Sequence, residues 1–282
     1  MPNMTDHDAR DFPSVRLTTP GGASAEILSY GAHAVSWKPA HRQTEHLFVS
    51  ERAHYQSGIA IRGGVPVIFP QFADFGSLTK HGFARVQPWH LMGEGRNGDA
   101  SAWAQFELTA NRETLAIWPH EFTARYTVTL TDDRLDMQLH IANTGSTDFQ
   151  FTAALHTYLT VGDIGAATLR GLKGSSFLER GEEQMTPEHR EALDFAGALD
   201  RVYHNTGSPL TLESPAQQTL LHAEGFTDTV VWNPWAEGCA GMDDMDDADY
   251  RKMLCVEAAV VLNPIHLRSN ESWTGRQTLV AQ

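Results

Sequence analysis

The sequence predicts an all-β protein. Many short segments alternate apolar and polar residues or are rich in β-branched and aromatic types, which is the period-two pattern of half-buried strands. Clusters of Gly, Pro, Asn and Asp separate these segments at intervals typical of a β-sandwich, and long amphipathic helices are absent. All-β sandwiches of 282 residues can form one unit. We therefore expect residues 1–282 to form a single domain, with residues 1–11 flexible.

The clearest strands form a pair. In residues 134–142, the side chains of Leu135, Met137 and Leu139 share one face, and the turn residues Thr131 to Asp133 separate this segment from residues 122–130. This pattern predicts a β-hairpin. Further strands are predicted at residues 25–30, 33–38, 45–49, 101–109, 149–158, 217–222, 228–233 and 253–262.

Three segments have weaker or different signals. Residues 62–72 contain Pro66 and Pro70, which indicate an irregular or edge strand. One short helix is predicted to begin at Thr186 and Pro187, since Thr can cap a helix and Pro suits its first position. Residues 241–250 predict an acidic loop.

Composition excludes several classes of partner and location. The 35 Asp and Glu residues against 21 Lys and Arg give a net charge of −14, which disfavours nucleic acid and anionic membranes as partners. No apolar run reaches the length of about 18 residues that a membrane span needs. The N-terminal residues lack a basic region followed by an apolar stretch, and the two cysteines lack metal-ligand spacing. We expect a cytoplasmic protein.

Several common motifs fail their context tests. The GxGxxG pattern at residues 93–98 precedes a strand-like segment rather than a helix, so we interpret it as a hairpin loop and not as a dinucleotide site. Residues 243–249 lack the glycine and terminal glutamate of a calcium loop, and their carboxylates are expected to be solvated. Metalloprotease, α/β-hydrolase and P-loop motifs are absent, and no histidine pair has zinc spacing. We expect neither a cofactor nor a metal.

A few polar residues interrupt apolar or glycine-rich segments, where burying charge is costly unless the group has a partner or a function. Arg62 opens a segment with two glycines, and His81 and Arg85 lie in another short segment. His156 and Glu257 each interrupt an apolar strand. The arginines could be solvated surface groups or ligand anchors. The histidine and glutamate could form a structural ion pair or an acid and a base facing one another across a pocket.

Six segments in register resemble the aldose 1-epimerase family, within its glucose-6-phosphate 1-epimerase branch. They are IRGGVPVIFPQF (61–72), KHGFAR (80–85), LHTYLTVGDI (155–164), DRVYHNT (200–206), DTVVWNPW (228–235) and MLCVEAAVV (253–261), and they extend over most of the chain. The resemblance implies a supersandwich of the galactose mutarotase type. It also implies a sugar phosphate as the small-molecule partner and a cofactor-free reaction. The loop at residues 72–80 departs most from the family.

The resemblance assigns roles to individual residues. His156 corresponds to the general acid and Glu257 to the general base. Arg62 and Arg85 correspond to arginines that hold the phosphate. Substrate-contacting positions correspond to His81, Asp200 and, more weakly, Gln71.

These residue types suit mutarotation. A base removes the proton of the C1 hydroxyl while an acid protonates the ring oxygen, and ring closure after rotation about the C1–C2 bond gives the other anomer. A free histidine is mostly neutral at pH 7, so we expect carboxylate charge from Glu257 or Asp200 to keep His156 protonated. Phe83, Trp232 and Trp235 are candidates for stacking on the sugar ring, although aromatic residues usually form core.

Other functions remain open at this point. The chain could act on free hexoses, or bind carbohydrate without turnover on the same fold. A glycoside hydrolase would use two carboxylates, and Glu257 with Asp200 could form such a pair. We expect a monomer.

Overall fold

The computed structural model of the chain describes residues 12–98, 100–206 and 209–282. Within this part the strands form three sheets of three, eight and nine strands, and their strand pairs are antiparallel. The predicted all-β class is confirmed. The expected flexibility of residues 1–11 concerns residues outside the described part.

The nine-stranded sheet contains the predicted hairpin. Its strands are β5 (His90–Asn97), β6 (Ser101–Thr109), β7 (Phe122–Leu130), β8 (Arg134–Asn143), β11 (Thr168–Arg170), β14 (Ala192–Asp194), β16 (Leu210–Glu213), β17 (Gln218–Glu224) and β20 (Ser272–Ala281). The order across the sheet is β14-β11-β16-β17-β20-β8-β7-β6-β5. Alternate residues of β6, β7 and β8 are buried, as the period-two pattern predicts for a sheet with one face on the core.

The eight-stranded sheet carries the functional candidates. Its strands are β4 (Val67–Ile68), β9 (Phe149–Leu155), β10 (Tyr158–Thr160), β12 (Ser176–Glu179), β13 (Thr186–Pro187), β15 (Leu199–His204), β18 (Asp228–Asn233) and β19 (Met253–Leu267). The order is β13-β12-β15-β18-β19-β9-β4, and β10 also pairs with β19. Strand β4 lies at the sheet edge, as the prolines of residues 62–72 predict.

Strand β19 is buried on both faces over its first nine residues. Leu254, Val256 and Ala258 point into the main hydrophobic core. Glu257 and its odd-numbered neighbours point to the opposite face, where Ala259 and Val261 form a smaller apolar cluster. We call this second face of the eight-stranded sheet the site face.

The third sheet comprises β1 (Ser14–Thr18), β2 (Ser24–Leu28) and β3 (His33–Lys38). Ile27 and Trp37 from this sheet, Tyr126 from the nine-stranded sheet and Val256 from the eight-stranded sheet all belong to one core cluster. The three sheets therefore share a single hydrophobic core. Among the described residues, no helix has the length and apolar character needed to cross a membrane.

The predicted helix at Thr186 and Pro187 is wrong. These residues form β13, in which Phe177 pairs with Thr186 and Ser176 with Pro187. Pairing with β12 overrides the local helix signal. The described helices are α1 (Arg112–Ile117) and α2 (Trp235–Ala240). Asn111 begins α1 with a capping box, a signal that the sequence does contain.

Two further expectations need correction. Residues 45–49 form no named strand and make only isolated bridges, from Leu47 to Leu159 and from Val49 to Gly63. The glycine-rich segment 93–98 is not a hairpin loop, since its first five residues belong to β5. Gly93 and Gly95 face the Trp103 ring, and a Cβ on Gly95 would lie 3.3 Å from the indole nitrogen.

Candidate active site

His156 and Glu257 face each other on the site face. Leu155 pairs with Ala258, and Tyr158 pairs with Cys255 in the same register, which places His156 directly opposite Glu257. The His156 Nε2 to Glu257 Oε1 distance is 3.3 Å. Both side chains are almost fully buried, and neither His156 Nδ1 nor Glu257 Oε2 has a hydrogen-bond partner in the described part of the chain. Two polar atoms are thus available to a ligand.

The backbone around Arg62 turns sharply on two glycines. Gly63 and Gly64 have φ of 107° and 63°, and a Cβ on Gly64 would lie 2.4 Å from Ala34 O. Glycine is therefore required at this close approach. The ring of His33, from β3, is 2.7 Å from Gly63 O through Nε2, which must be the donor because a carbonyl only accepts. This bond fixes the segment that carries Arg62.

Arg62 is held by an acidic partner and a phenol. Its Nη2 is 3.0 Å from Asp244 Oδ2, and its Nη1 donates to the Tyr158 hydroxyl at 3.1 Å. The Tyr158 ring stacks on His156 with a centroid separation of 4.8 Å and an interplanar angle of 12°. Arg62 and His156 are therefore connected through one tyrosine.

Arg85 has no carboxylate within salt-bridge distance in the described part of the chain. Its Nη2 donates to Lys80 O at 3.1 Å, and its Nε is buried without a partner. Burial lowers the pKa of Arg85 to about 10. Arg85 is a half-buried cation that lacks an anionic partner among the described residues.

His81 has a defined tautomer. Its Nδ1 accepts the backbone N–H of Ala73 at 3.2 Å, which leaves Nε2 protonated. Burial lowers the pKa of His81 far below its ordinary value, and the charges of His156 and Arg85 lower it further. The neutral His81 ring is therefore a hydrogen-bond donor.

These residues line one cavity of about 340 Å³. Six of the seven candidate residues contribute to its wall: Arg62, His81, Arg85, His156, Asp200 and Glu257. A larger cavity of about 470 Å³ lies beside β2 and β3. In that cavity Glu45 is bound by Ser36 and Asp249 by Ser50, so these carboxylates already have partners.

Gln71 lies outside the wall of the site cavity. Its amide nitrogen donates to Ala73 O at 3.1 Å and Leu78 O at 3.0 Å, and its Oε1 accepts the Leu78 N–H at 2.9 Å. The side chain holds the 72–80 loop in shape. Among the stacking candidates, Trp232 lines the cavity, whereas Phe83 belongs to the core and Trp235 packs against it.

The protonation of the acid–base pair differs from expectation. Burial lowers the pKa of His156 well below its ordinary value, and Arg85 and Arg62 lower it further. Burial raises the pKa of Glu257 well above its ordinary value, and the charge of Asp200 adds to this effect. Both shifts act against the expectation that carboxylates keep His156 protonated. They favour a neutral pair over an ion pair in the site without ligand.

Several residues in the cavity wall or in contact with it were not nominated from the sequence. Tyr158 follows His156 by two positions, so the period-two rule could have placed it on the same face. Lys80 and Arg180 add two cations, and Arg180 binds both carboxylate oxygens of Asp74 at 2.7 and 2.8 Å. The acidic loop is only partly solvated, since Asp244 binds Arg62 and Asp249 is buried. No local signal identifies Asp244 as the partner of Arg62.

Comparison with known proteins gives a consistent family. Residues 13–280 match the family described as aldose 1-epimerase. A Cenchrus ciliaris protein named "Putative glucose-6-phosphate 1-epimerase" is 37% identical over 268 residues, covering 91% of this chain and 81% of that protein. An Escherichia coli K12 protein of the same name is 36% identical over 242 residues, with coverage of 83% and 79%.

Solved structures show the same fold. A Salmonella typhimurium crystal structure described as a "putative mutarotase" superposes with a TM-score of 0.88 at 28% identity, covering 96% of this chain and 90% of that one. A galactose mutarotase-like protein from Lactobacillus casei superposes with a TM-score of 0.76 at 16% identity, with coverage of 96% and 100%. The second likeness concerns the fold alone and agrees with the supersandwich of the galactose mutarotase type.

Proposed function

The chain belongs to the aldose 1-epimerase family, and from this premise we propose that it interconverts the α and β anomers of aldohexose 6-phosphates, glucose 6-phosphate first among them. The protein is an isomerase. In the proposal His156 is the acid and Glu257 the base. The carrying observation is the 3.3 Å contact between these two side chains in the wall of the site cavity.

The contact suits a reaction in which one proton leaves and another joins two oxygens that are bonded to the same carbon. The C1 hydroxyl and the ring oxygen of a pyranose are bonded to the same atom, so adjacent acid and base groups can reach both. Glu257 takes the hydroxyl proton while His156 protonates the ring oxygen, and the aldehyde forms. After rotation about the C1–C2 bond, the reverse transfers close the ring and restore both groups.

The cations of the cavity support a phosphorylated substrate. Arg62 and Arg180 already have acidic partners, Asp244 and Asp74. Arg85 is half-buried and has no acidic partner among the described residues, and a guanidinium binds phosphate through paired N–H donors. A phosphate at Arg85, assisted by Arg62, would supply the missing anion.

Phosphate binding would also prepare the acid. Arg85 and Arg62 lower the pKa of His156 in the site without ligand. A dianion bound to these arginines offsets their charge, so the pKa of His156 rises. Arg85 also lowers the pKa of Glu257, so the same dianion raises that pKa too. The substrate's phosphate would thereby act on the protonation of both groups.

The alternative functions have less support. A glycoside hydrolase needs two carboxylates across the scissile bond, whereas the group in contact with Glu257 is a histidine. Action on free hexoses and binding without turnover use the same cavity, and the experiment below separates them. The substrate is the proposed small-molecule partner, without nucleic acid or membrane. Two free cysteines support a cytoplasmic location.

The test is anomer exchange measured by magnetisation-exchange NMR on glucose 6-phosphate, galactose 6-phosphate and free glucose. We expect His156→Ala and Glu257→Gln each to lower the enzyme-catalysed exchange rate by roughly 10²- to 10⁴-fold, since each removes one proton-transfer group. The variants His90→Ala and Glu94→Gln, on the exposed strand β5, are the matched controls. Near-normal exchange in either site variant would contradict the assignment. Exchange of free glucose as fast as of the phosphate would favour the free-hexose alternative.

A further inference from the structure

Three potential metal ligands meet at the wall of the site cavity, two of them lining it and the third behind it. They are the imidazole of His156, the thiol of Cys255 and the carboxylate of Glu257, and their ligand atoms all lie within 4.8 Å of one another. All three residues are buried. Neither the spacing in the sequence nor the mutarotase mechanism accounts for the cysteine.

The sheet register explains why these groups converge. Cys255 and Glu257 are two residues apart on β19, so both point to the site face. His156 lies opposite Glu257, and Tyr158 lies opposite Cys255 on the neighbouring strand. Cys255 and Glu257 therefore occupy adjacent positions of β19, and His156 lies beside them in the two-residue link between β9 and β10.

The spacing is close to that of a zinc site. Zinc is four-coordinate with bonds of about 2.0–2.3 Å, which places neighbouring ligand atoms roughly 3.5 Å apart. The His156 to Glu257 distance of 3.3 Å already meets this value. The other separations are at most 4.8 Å and would have to shorten to this spacing around the ion. The fourth position would be left for water, as in zinc sites with three protein ligands.

The donor chemistry also fits. Nitrogen, sulfur and oxygen donors together are typical of zinc. His156 Nε2 contacts Glu257 Oε1, and Glu257 Oε2 has no partner among the described residues, so the ion would take the place of that one contact. A thiolate and a carboxylate neutralise the two charges of the ion, so the nearby Arg62 and Arg85 would face a complex without net charge. Binding releases the thiol proton and the carboxyl proton to water, with no change of oxidation state.

Oxidation of the thiol is the competing use, and the structure disfavours it. Cys255 has no exposed surface, so a dissolved oxidant does not reach its sulfur. Oxidation of a cysteine requires exposure as well as thiolate character.

We propose that His156, Cys255 and Glu257 form a zinc-binding site, and that zinc bound there inhibits the enzyme by occupying its acid and base. The inhibition rests on the proposed function. The binding does not.

Binding is tested on the whole purified chain with Co²⁺ as the spectroscopic probe and Zn²⁺ by calorimetry. Co²⁺ should give the thiolate-to-metal charge-transfer absorption, and Zn²⁺ should displace it. Cys255→Ser should abolish that absorption and weaken zinc binding by at least about 100-fold, because loss of a direct ligand exceeds the 10- to 100-fold cost of losing an outer-shell partner. Cys239→Ser, at the other buried cysteine, is the matched control and should bind as the unaltered chain does.

Inhibition is tested by anomer exchange of glucose 6-phosphate. Zn²⁺ should stop exchange in the unaltered chain, a chelator should restore it, and substrate should compete. Cys255→Ser should keep its exchange rate and resist zinc. Equal zinc binding by the two cysteine variants, or no thiolate absorption with Co²⁺, overturns the site. Metal binding through Cys255 in a chain without exchange activity would overturn the proposed function and leave the site standing.

Discussion

At the scale of single residues, the two arginines of the site differ in whether an acidic side chain already binds them. Arg62 shares its charge with Asp244, whereas Arg85 has a buried Nε without a partner. The same environment affects proton binding by His156, because burial and both arginines lower the pKa of this residue. An anion at Arg85 therefore changes affinity and protonation together.

This difference predicts unequal effects on two substrates. Arg85→Ala should raise KM for glucose 6-phosphate by roughly 10- to 100-fold, since a charge-assisted hydrogen bond contributes about 1.5–3 kcal/mol. The KM for free glucose should change little. Steady-state anomer exchange with both sugars measures the effect, with the exposed Arg268→Ala as control. Equal changes for both sugars would contradict phosphate recognition by Arg85.

Tyr158 contacts both Arg62 and His156, and two substitutions can separate the role of its hydroxyl from that of its ring. Tyr158→Phe removes the 3.1 Å bond to Arg62 and keeps the ring that stacks on His156. We expect KM for glucose 6-phosphate to rise several-fold with kcat nearly unchanged, because one neutral partner of Arg62 contributes about 1 kcal/mol. Tyr158→Leu removes the stacked ring as well and should lower kcat.

The control for this pair is Tyr126→Phe. The Tyr126 hydroxyl is buried without a partner in the described part of the chain, so its removal should leave both constants unchanged. A fall in kcat with Tyr158→Phe, equal to that with Tyr158→Leu, would show that the hydroxyl and not the stack matters for the acid.

At the scale of elements, β3 fixes the segment that carries Arg62. His33 donates to Gly63 O at 2.7 Å and is buried. Burial lowers the pKa of His33 from 6.5 to about 4. The folded chain holds this ring neutral, whereas the unfolded chain protonates it as the pH falls through 6.5.

The sign of the resulting pH dependence follows from proton uptake. Because the unfolded state binds the proton first, His33 should lower the free energy of unfolding as the pH falls from about 6.5 to about 4, by up to about 3 kcal/mol in all. Urea unfolding across this range measures the slope. His33→Gln keeps a donor near Gly63 and should be less dependent on pH. An unchanged slope in this variant would contradict the assignment.

At the scale of the whole molecule, the site is assembled from distant parts of the chain on one face of one sheet. Arg62 precedes β4, His156 lies between β9 and β10, Asp200 lies in β15 and Glu257 in β19. The face opposite the site is buried in the core that all three sheets share. Packing of that opposite face against the core holds the strands that carry the site in place.

The surface predicts a monomer. The large exposed hydrophobic residues of the described chain, Ile59, Phe75, Leu91, Met92, Ile117 and Met185, fall in five separate segments. A net charge of −14 also opposes self-association. Light scattering after size exclusion should give a mass of 31.2 kDa. A mass near twice that value would contradict the prediction. The edge strand β5 would then be the first candidate for the contact between two chains.

The sequence by itself determined the fold class and much of the strand pattern. Strands β3, β6, β7 and β18 have the predicted bounds, because alternation of apolar and polar residues is a local consequence of one buried face. Six of the seven residues nominated from the family resemblance line one cavity in the structure. Gln71 is the exception, because its amide bonds within the 72–80 loop instead of facing the cavity.

Only the tertiary structure decided how these residues act on each other. Register between β9, β10 and β19 brings His156 opposite Glu257 and Cys255 beside them, and register depends on packing between strands about 100 residues apart in the chain. The partner of Arg62 comes from the acidic loop, and Thr186 and Pro187 become a strand by pairing with β12. Burial, a property of the assembled fold, lowers the pKa of His156 and raises that of Glu257, which acts against the expected protonation of His156.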